Sequence, residues 1–307
     1  MKPETLPAGR QVSIIIVTYN SEGEIESCLQ SIIKHVKSDF EVIIVDNASR
    51  DKTVELILEY QRVKRSKIKI IKNNENVGFG SGCNIGMKNA KGDYFLILNP
   101  DTRMENDAVT TQVKYLQDHP EAGIVGAKIV NDEGKISASG GFSPTLLRII
   151  NWMLFIDDIP IFNKFLRSYH PRFFYFDKKK ELDWVTGAFF LLRREVVEKV
   201  GDFDPNFFLY VEEVEYCYRA KKAGFRVIFN PQTEIIHKGQ ASSKGSKKAS
   251  TLGEYRGIIY FYQKHNKKLL PLVKLLLKIG AVLRMLIFGI LGRKQSFANY
   301  REAYAVV

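Results

Sequence analysis

The stretch Val12-Ser-Ile-Ile-Ile-Val17 decides the fold class of this chain. It is short, apolar and rich in β-branched residues, which is typical of a strand buried on both faces of a parallel sheet. The polar turn Thr18-Tyr19-Asn20 follows directly, and an apolar stripe at helical spacing then runs through residues 25–36. This order predicts a buried strand followed by a helix that covers one of its faces.

Similar strand-like runs at residues 42–45, 68–71 and 94–98 alternate with helical patterns. Strands that alternate with helices predict an α/β protein with a Rossmann-like, doubly wound sheet. Ligands of such sheets bind beyond the carboxyl ends of the strands, where the polar tails of these runs fall. We therefore expect the functional site at that edge of the sheet.

The pattern changes in the middle of the chain. Residues 140–182 mix aromatic side chains with prolines and basic residues, and strand-like runs return only from residue 184. We predict one domain over residues 1–264, with a first half over about 10–130 and a second half over about 131–264.

The C-terminal segment, residues 265–307, is basic, apolar and helical in pattern. Lys274, Lys278 and Arg284 interrupt its most apolar part, and three central cations are costly in hydrocarbon. This favours an amphipathic helix lying in the membrane interface over a single membrane span. A C-terminal helix packed on the domain is the remaining alternative.

The charge of the chain points to an anionic partner. Its 46 Lys+Arg against 34 Asp+Glu give a formal net charge of +12, which favours nucleic acid, acidic lipid or phosphorylated substrates. The basic clusters contain few aromatic residues and accompany no nucleic-acid motif. We therefore expect an anionic membrane surface and no nucleic acid as the partner of this charge.

The cysteines and the N-terminus indicate the compartment. Cys28, Cys83 and Cys217 lie far apart and form no CxxC pair, which predicts a reduced, intracellular protein with inert core thiols and no zinc or redox site. Residues 1–10 are polar and lack an apolar signal core, so no secretion route is indicated.

Two aspartates stand at strand ends. Asp46 follows the second strand directly, where a carboxylate can accept hydrogen bonds from a nucleobase or a ribose; a helix cap is the alternative. Asp101 closes Leu98-Asn-Pro-Asp101, where a hard oxygen ligand could hold Mg²⁺ or Mn²⁺ against a diphosphate. A turn with a capping aspartate is the alternative there.

A glycine-rich stretch, Asn76-Val-Gly-Phe-Gly-Ser-Gly-Cys-Asn-Ile-Gly86, follows the third strand. Closely spaced glycines let the backbone approach a diphosphate or a sugar, and a following helix N-terminus favours anions. The stretch is not a P-loop, because the Gly-Lys-Ser/Thr ending is missing.

Candidates for acid–base chemistry lie near the C-terminal end of the domain. Glu212, Glu213 and Glu215 follow an aromatic stretch, and helical spacing places Glu212 and Glu215 on one face. A carboxylate beside aromatic rings suits a general base, whereas a solvated helix face is the alternative. His237 could add an imidazole ligand to a metal, although an isolated histidine is more often structural.

Several of these motifs occur in a fixed order over residues 12–243. They are Val12-Ser-Ile-Ile-Ile-Val-Thr-Tyr-Asn20, Val45-Asp-Asn-Ala-Ser49, Asn76-Val-Gly-Phe79, Leu98-Asn-Pro-Asp101, Thr186-Gly187-Ala188, Phe203-Asp204, Tyr210-Val-Glu-Glu213 and His237. The set resembles family 2 glycosyltransferases, and within them the rhamnosyltransferase-like branch that builds cell-surface polysaccharides. Order and spacing together make the match far more specific than any single motif.

The resemblance implies a GT-A fold and an inverting, single-displacement transfer from a nucleotide-sugar donor. It favours dTDP-rhamnose, with UDP-sugars as an alternative, and a lipid-linked or polysaccharide acceptor. With the basic C-terminal segment, it predicts an enzyme associated peripherally with the cytoplasmic face of the membrane.

The resemblance also implies that residues 1–264 are the catalytic domain, with a nucleotide-binding half over about 10–130 and an acceptor half over about 131–264. It implies residue roles as well. Asp101 and His237 would bind the divalent metal, Mg²⁺ or Mn²⁺, and Glu213 would be the catalytic base. The acceptor side would contain Trp184, Thr186 and Gly187, and the donor side Thr18, Tyr19, Asn20, Asp46, Asn76, Gly78, Phe79, Asn99 and Asp101.

The chain departs from the family pattern at two of these positions. Asn99 replaces the first carboxylate of the DxD motif, which leaves the metal site with less negative charge. Glu213 replaces an aspartate and is longer by one methylene, so Glu212 stays open as the base.

Two other functions fit parts of the sequence. A sugar-1-phosphate nucleotidyltransferase usually carries a glycine-rich, basic loop directly after its first strand, but Thr18-Tyr19-Asn20 occupies that place here. A non-catalytic nucleic-acid-binding protein would explain the net charge alone and leaves the motif set without a role.

Overall fold

The computed structural model describes residues 11–64, 68–159, 166–239 and 247–307. Within these residues, nine strands form one mixed sheet and two short strands form a separate ribbon. The strands are β1 Val12–Thr18, β2 Phe40–Asp46, β3 Ile68–Lys72, β4 Tyr94–Leu98, β5 Thr102–Met104, β6 Ala122–Val130, β7 Gly140–Gly141, β8 Lys180–Leu182, β9 Trp184–Val185, β10 Phe189–Arg193 and β11 Arg226–His237.

Helices flank the sheet and continue to the C-terminus. They are α1 Ile25–His35, α2 Thr53–Lys64, α3 Phe79–Lys88, α4 Ala108–Asp118, α5 Leu146–Met153, α6 Arg194–Val200, α7 Glu212–Lys222, α8 Lys247–His265, α9 Leu270–Ile290 and α10 Lys294–Val306. Of the irregular stretch at residues 140–182, the described part contains β7, β8, α5 and two short 3-10 turns.

The main sheet has the order β3-β2-β1-β4-β10-β6-β11-β5, with β8 paired to β11. Strands β1 to β4 are mutually parallel where they pair, whereas β10 runs antiparallel to both β4 and β6. The predicted doubly wound, mixed α/β sheet is therefore confirmed. The run that begins at residue 184 divides into β9 and β10, which leaves Gly187 in the turn between them.

Strand β1 is buried on both faces, as its sequence predicts. Ile14 belongs to a core shared with Leu29 of α1, whereas Ile15 belongs to the opposite core, shared with Cys83 and Met87 of α3. All three cysteines are buried free thiols. Burial raises the pKa of Cys28 to about 12, so this thiol is inert at neutral pH.

The three cations of α9 contact other parts of the protein, whereas the placement of this helix in the membrane interface stays a prediction. Arg284 is 6% exposed, and its guanidinium donates to the backbone oxygens of Trp152 and Met153 at the end of α5. Lys274 donates to the Val307 oxygen. Lys278 lies over the Tyr304 ring of α10.

Helix α9 thus packs on α5, α8 and α10 through the face that carries its charges. Packing on the domain was the alternative interpretation, and the structure supports it for this face. No helix of the described residues combines the length and apolar character that crossing a bilayer requires.

Candidate active site

A cavity of about 270 Å³ opens beyond the carboxyl ends of β1 and β4. Its wall combines strand ends, the turn before α3, the turn between β9 and β10, and the start of α7. The predicted site residues in this wall are Thr18, Tyr19, Asn76, Gly78, Phe79, Asn99, Thr186, Gly187, Glu212, Glu213 and His237. The predicted residues Asn20, Asp46, Asp101 and Trp184 lie outside it.

Asp46 supports the wall from behind. Parallel pairing of β1 with β2 places Thr18 opposite Asp46, and the Thr18 hydroxyl donates to the Asp46 carboxylate at 3.0 Å. The Ser49 backbone N–H and hydroxyl donate to the same carboxylate, which is buried. In this structure Asp46 therefore holds the two strand-end loops together, and Thr18 presents its side chain to the cavity.

Asn20 joins the same two loops. It has a positive φ of 52°, its N–H donates to the Ser49 hydroxyl, and its side-chain oxygen accepts from the Arg50 N–H. Ala48, in the facing loop, also has a positive φ, of 60°. Left-handed non-glycine residues cost free energy and cluster at functional sites.

Asn47 is a wall residue that the sequence interpretation did not single out. Its side-chain amide donates to the Gly78 carbonyl at 3.1 Å and to the Asn76 side-chain oxygen at 3.3 Å. The Asn76 oxygen also accepts from the Gly78 N–H. The signal was present, since Asn47 follows Asp46 directly in the quoted motif.

The glycines of the glycine-rich stretch divide between the cavity wall and helix packing. Only Gly78, which has a φ of 86°, belongs to the cavity wall. A Cβ at Gly82 would lie 2.8 Å from a Val17 methyl, and one at Gly86 would lie 2.3 Å from an Ile15 methyl. These two glycines therefore let α3 pack closely on β1, which is a packing requirement and not contact with a ligand.

Antiparallel pairing brings the two predicted metal ligands together. Strand β5 pairs with the end of β11, with His237 opposite Thr102. The His237 Nε2 consequently lies 3.1 Å from the Asp101 Oδ1 and 3.4 Å from the Asn99 side-chain nitrogen. Residues far apart in sequence thus form one polar cluster at the edge of the cavity.

The chemistry of this cluster fits a hard divalent cation that keeps open positions. One carboxylate, one imidazole and one amide oxygen supply few protein ligands, and Mg²⁺ in particular usually retains water and phosphate ligands. Within the described residues, no group of three His, Cys, Asp or Glu side chains forms a closed metal site. Asp101 and His237 would hold such a cation only together with the donor diphosphate.

The Glu212–Glu213 pair begins α7, and both side chains face the cavity. Tyr210 and Val211 immediately before them have positive φ values of 73°. A β-branched residue in the left-handed region is a genuine outlier. Two such residues in succession make a sharp, strained turn that aims the first turn of α7 into the cavity.

Burial raises the pKa of both glutamates. For Glu212 the pKa rises well above the ordinary value, and the Glu213 charge raises it further. In Glu213, hydrogen bonds from its own backbone N–H and that of Gly187 oppose the effect of burial on the pKa. Within the described residues, one carboxylate oxygen of each side chain is buried without a hydrogen-bond partner.

Glu215 does not share the site, so grouping it with Glu212 by helical face was misleading. Its carboxylate is fully buried and lies 2.9 Å from the Arg219 Nε and 2.8 Å from the Lys264 Nζ. His265 lies 3.0 Å from the same carboxylate. Glu215 therefore ties α7 to α8.

Trp184 lies in a buried aromatic cluster beside the cavity. Its indole N–H donates to the Phe142 carbonyl, and its ring lies about 6.0 Å from those of Tyr169 and His170. The His170 Nε2 lies 2.5 Å from the Glu254 carboxylate. Burial lowers the pKa of His170, but Glu254 more than offsets it, so the net pKa is raised.

The segment 208–210 forms a wall that the sequence interpretation named only as an aromatic approach. Phe208, Leu209 and Tyr210 all contact the cavity. The Phe208 carbonyl accepts from the Phe79 N–H at 2.9 Å, which joins this segment to the start of α3. The consecutive aromatic residues were the available signal.

A model of the family described as Glycosyl transferase family 2 matches residues 13–201, more than half of the chain. Two similar proteins are rhamnosyltransferases. The N-acetylglucosaminyl-diphospho-decaprenol L-rhamnosyltransferase of Mycobacterium tuberculosis is 24% identical over 260 residues, with 81% of this chain and 82% of the relative covered. Rhamnosyltransferase WbbL of Escherichia coli is 28% identical over 236 residues, with 74% and 83% covered.

A solved structure shows the same fold. The mannosyltransferase PcManGT from Pyrobaculum calidifontis, in complex with GDP-Man and Mn²⁺, superposes with a TM-score of 0.59 at 17% identity. The match covers 96% of this chain and 74% of that protein. The central sheet with its flanking helices is therefore of the GT-A type that the motif set implied.

Proposed function

We propose that this chain, which belongs to glycosyl transferase family 2, transfers rhamnose from dTDP-rhamnose to a lipid-linked or polysaccharide acceptor. The chain is a rhamnosyltransferase-like, nucleotide-sugar-dependent glycosyltransferase. The observation that carries the site assignment is geometric. The Glu212–Glu213 pair and His237, which contacts Asp101, line one cavity at the carboxyl edge of the sheet.

Glu213 is the base in this proposal. It lines the cavity and is less buried than Glu212, which is 3% exposed. The Gly187 N–H holds its carboxylate in place, and in this proposal that carboxylate accepts a proton from the acceptor hydroxyl. That hydroxyl oxygen attacks the anomeric carbon as the bond to the nucleoside diphosphate breaks, so the configuration inverts.

Glu212 has a supporting role. Burial and the neighbouring Glu213 charge raise its pKa, which favours the protonated form. A neutral Glu212 leaves Glu213 as the charged member of the pair.

The nucleotide side of the cavity binds the donor. Thr18, Tyr19 and Asn47 form its wall beside the Gly78 turn, and Tyr19 is 45% exposed, so its ring is accessible to a base. Asp101 and His237 would hold the divalent cation, which neutralises charge on the departing diphosphate when bound. The donor preference and the acceptor class rest on the named rhamnosyltransferase relatives.

Membrane association is part of the proposal, and it rests on the outward face of α9. Exposed apolar residues recur there every three or four positions, and exposed cations lie just before and just after the helix. The apolar residues are Leu272, Leu275, Ile279, Val282, Leu286 and Ile290, which we call the α9 apolar stripe. Such a face with basic ends suits the anionic cytoplasmic surface of a membrane.

A panel of nucleotide sugars tests the proposed function. Thermal shift and hydrolysis are measured with the full chain, with and without Mg²⁺ or Mn²⁺. We expect metal-dependent stabilisation by dTDP-rhamnose, its loss in Asp101→Ala, and its retention in Asp118→Ala, an exposed aspartate at the end of α4. If no nucleotide sugar is bound or hydrolysed, the proposed function is wrong.

A further inference from the structure

A second groove, of about 680 Å³, adjoins the active-site cavity. It lies between the segment 206–210 and one face of α8, and we call it the α8 groove. Phe208, Leu209 and Tyr210 line both the cavity and the groove, so the two spaces share one wall. Tyr210 is three residues before Glu213, and both residues line the cavity, so this end of the groove lies near the proposed base.

One face of α8 gives the groove its chemical character. Lys248, Leu252, Arg256 and Tyr260 follow one another at four-residue spacing and all line it, so cationic and apolar side chains alternate along its length. Gly253 and Gly257 lie beside them and let α8 pack closely on Tyr210 and Val211. The segment opposite supplies mainly apolar side chains.

The two cations of the groove differ in their partners. Lys248 pairs with Glu302 of α10 at 2.8 Å. Arg256 is exposed, and within the described parts of the chain no carboxylate forms an ion pair with it. The guanidinium is therefore available to an anionic ligand, and its planar donors match a phosphate in a bidentate manner.

We propose that the α8 groove binds the diphosphate and the adjoining apolar chain of a lipid-linked acceptor, with Arg256 contacting the diphosphate. This inference rests on the proposed glycosyl transfer and identifies the acceptor class of the same site. An amphiphile with an anionic head is what an apolar groove with an unpaired guanidinium complements. The sugar on that diphosphate would then extend past Tyr210 into the cavity that contains Glu213.

Binding of undecyl diphosphate to the full chain tests the inference without knowledge of the acceptor sugar. A chelator is present, and dTDP fills the nucleotide cavity, so that the probe does not compete there. Calorimetry compares the wild type with Arg256→Gln and with Arg301→Gln, a matched exposed arginine on α10. Undecyl maltoside, which has the same chain and no charge, is the neutral control ligand.

We expect Arg256→Gln to weaken undecyl diphosphate binding about ten- to a hundredfold, the effect of removing a charge-assisted hydrogen bond to a phosphate. Arg301→Gln should bind like the wild type, and undecyl maltoside should not distinguish the variants. Equal binding of undecyl diphosphate by Arg256→Gln and wild type, or no binding by the wild type, would overturn the inference.

A parallel measurement separates this inference from the proposed function. Hydrolysis of the nucleotide sugar in the absence of acceptor should be the same in Arg256→Gln and wild type, because Arg256 does not line the catalytic cavity. If the wild type hydrolyses the donor but Arg256→Gln binds the lipid normally, only the acceptor groove is wrong. Loss of anionic-vesicle binding in Arg256→Gln with unchanged binding of undecyl diphosphate would assign this arginine to the membrane surface.

Discussion

Gly257 of α8 is a position where one added methyl group should affect catalysis from a distance. A Cβ there would lie 2.5 Å from a Val211 methyl and 3.0 Å from the Tyr210 carbonyl oxygen. Both contacts are with the strained turn that starts α7. The substitution Gly257→Ala therefore presses on the segment that positions Glu213.

The size of the effect follows from the lack of space. Overpacking of this kind costs about 1–3 kcal/mol of the free energy of unfolding. The turn cannot relax cheaply, because Tyr210 and Val211 are already in the left-handed region. A displacement of Glu213 on the order of 1 Å should lower kcat about a hundredfold.

The assay combines guanidinium unfolding with steady-state kinetics at a temperature where both proteins are fully folded. Gly289→Ala in α9 is the matched control, because a Cβ there would meet only the Phe297 ring, at 3.7 Å. That helical substitution should leave kcat unchanged and stabilise the fold by up to about 0.5–1 kcal/mol.

Two results would refute the reasoning. If Gly257→Ala loses stability but keeps wild-type kcat, the turn does not position the base. If neither quantity changes, α8 moves away from Val211 without cost, and the packing argument itself is wrong.

Three further predictions concern the glutamate pair and the membrane. Glu213→Gln should lower kcat about 10²- to 10⁴-fold with nucleotide binding retained. The control Glu198→Gln, at an exposed site, should keep its activity. Full transfer activity in Glu213→Gln would exclude Glu213 as the base. Because burial raises the folded-state pKa of Glu212 above 4.5, the contribution of this group to the free energy of unfolding should be highest below that pH and fall as pH rises through the folded-state pKa. Glu212→Gln should then be more stable than wild type at neutral pH and similar at pH 4, by denaturant titration; an equal difference at both pH values would contradict this. In flotation assays, the double variant Leu275→Glu/Leu286→Glu should bind anionic vesicles at least about tenfold more weakly than the wild type. Gln263→Glu is the control for added negative charge. Unchanged vesicle binding by the double variant would remove α9 from the membrane proposal.

Much of the nucleotide half was predictable, because local sequence carries the necessary information there. A β-branched run such as that of β1 can be stable only where both faces are covered. Polar residues after parallel strands must meet at one edge of the sheet, so the sequence alone places Thr18 and Asn99 in a common site. Both residues line the same cavity. The motif order then identified the family.

The roles of individual side chains were less predictable, because they depend on what packs against each face. Helical periodicity shows that α9 has apolar and charged positions, but only its neighbours determine that Arg284 caps α5 and that the apolar stripe faces outward. Glycine spacing likewise cannot tell close helix packing at Gly82 and Gly86 from contact with a diphosphate.

The sequence by itself determined the class of sheet, the edge at which the site lies and the family. Only the tertiary structure decided how the site is assembled from distant segments. The Asp101–His237 contact exists because β5 pairs with the end of β11, and the direction of Glu213 is set by a left-handed turn against α8. Strand pairing and strained turns are stabilised by long-range contacts, which no local pattern records.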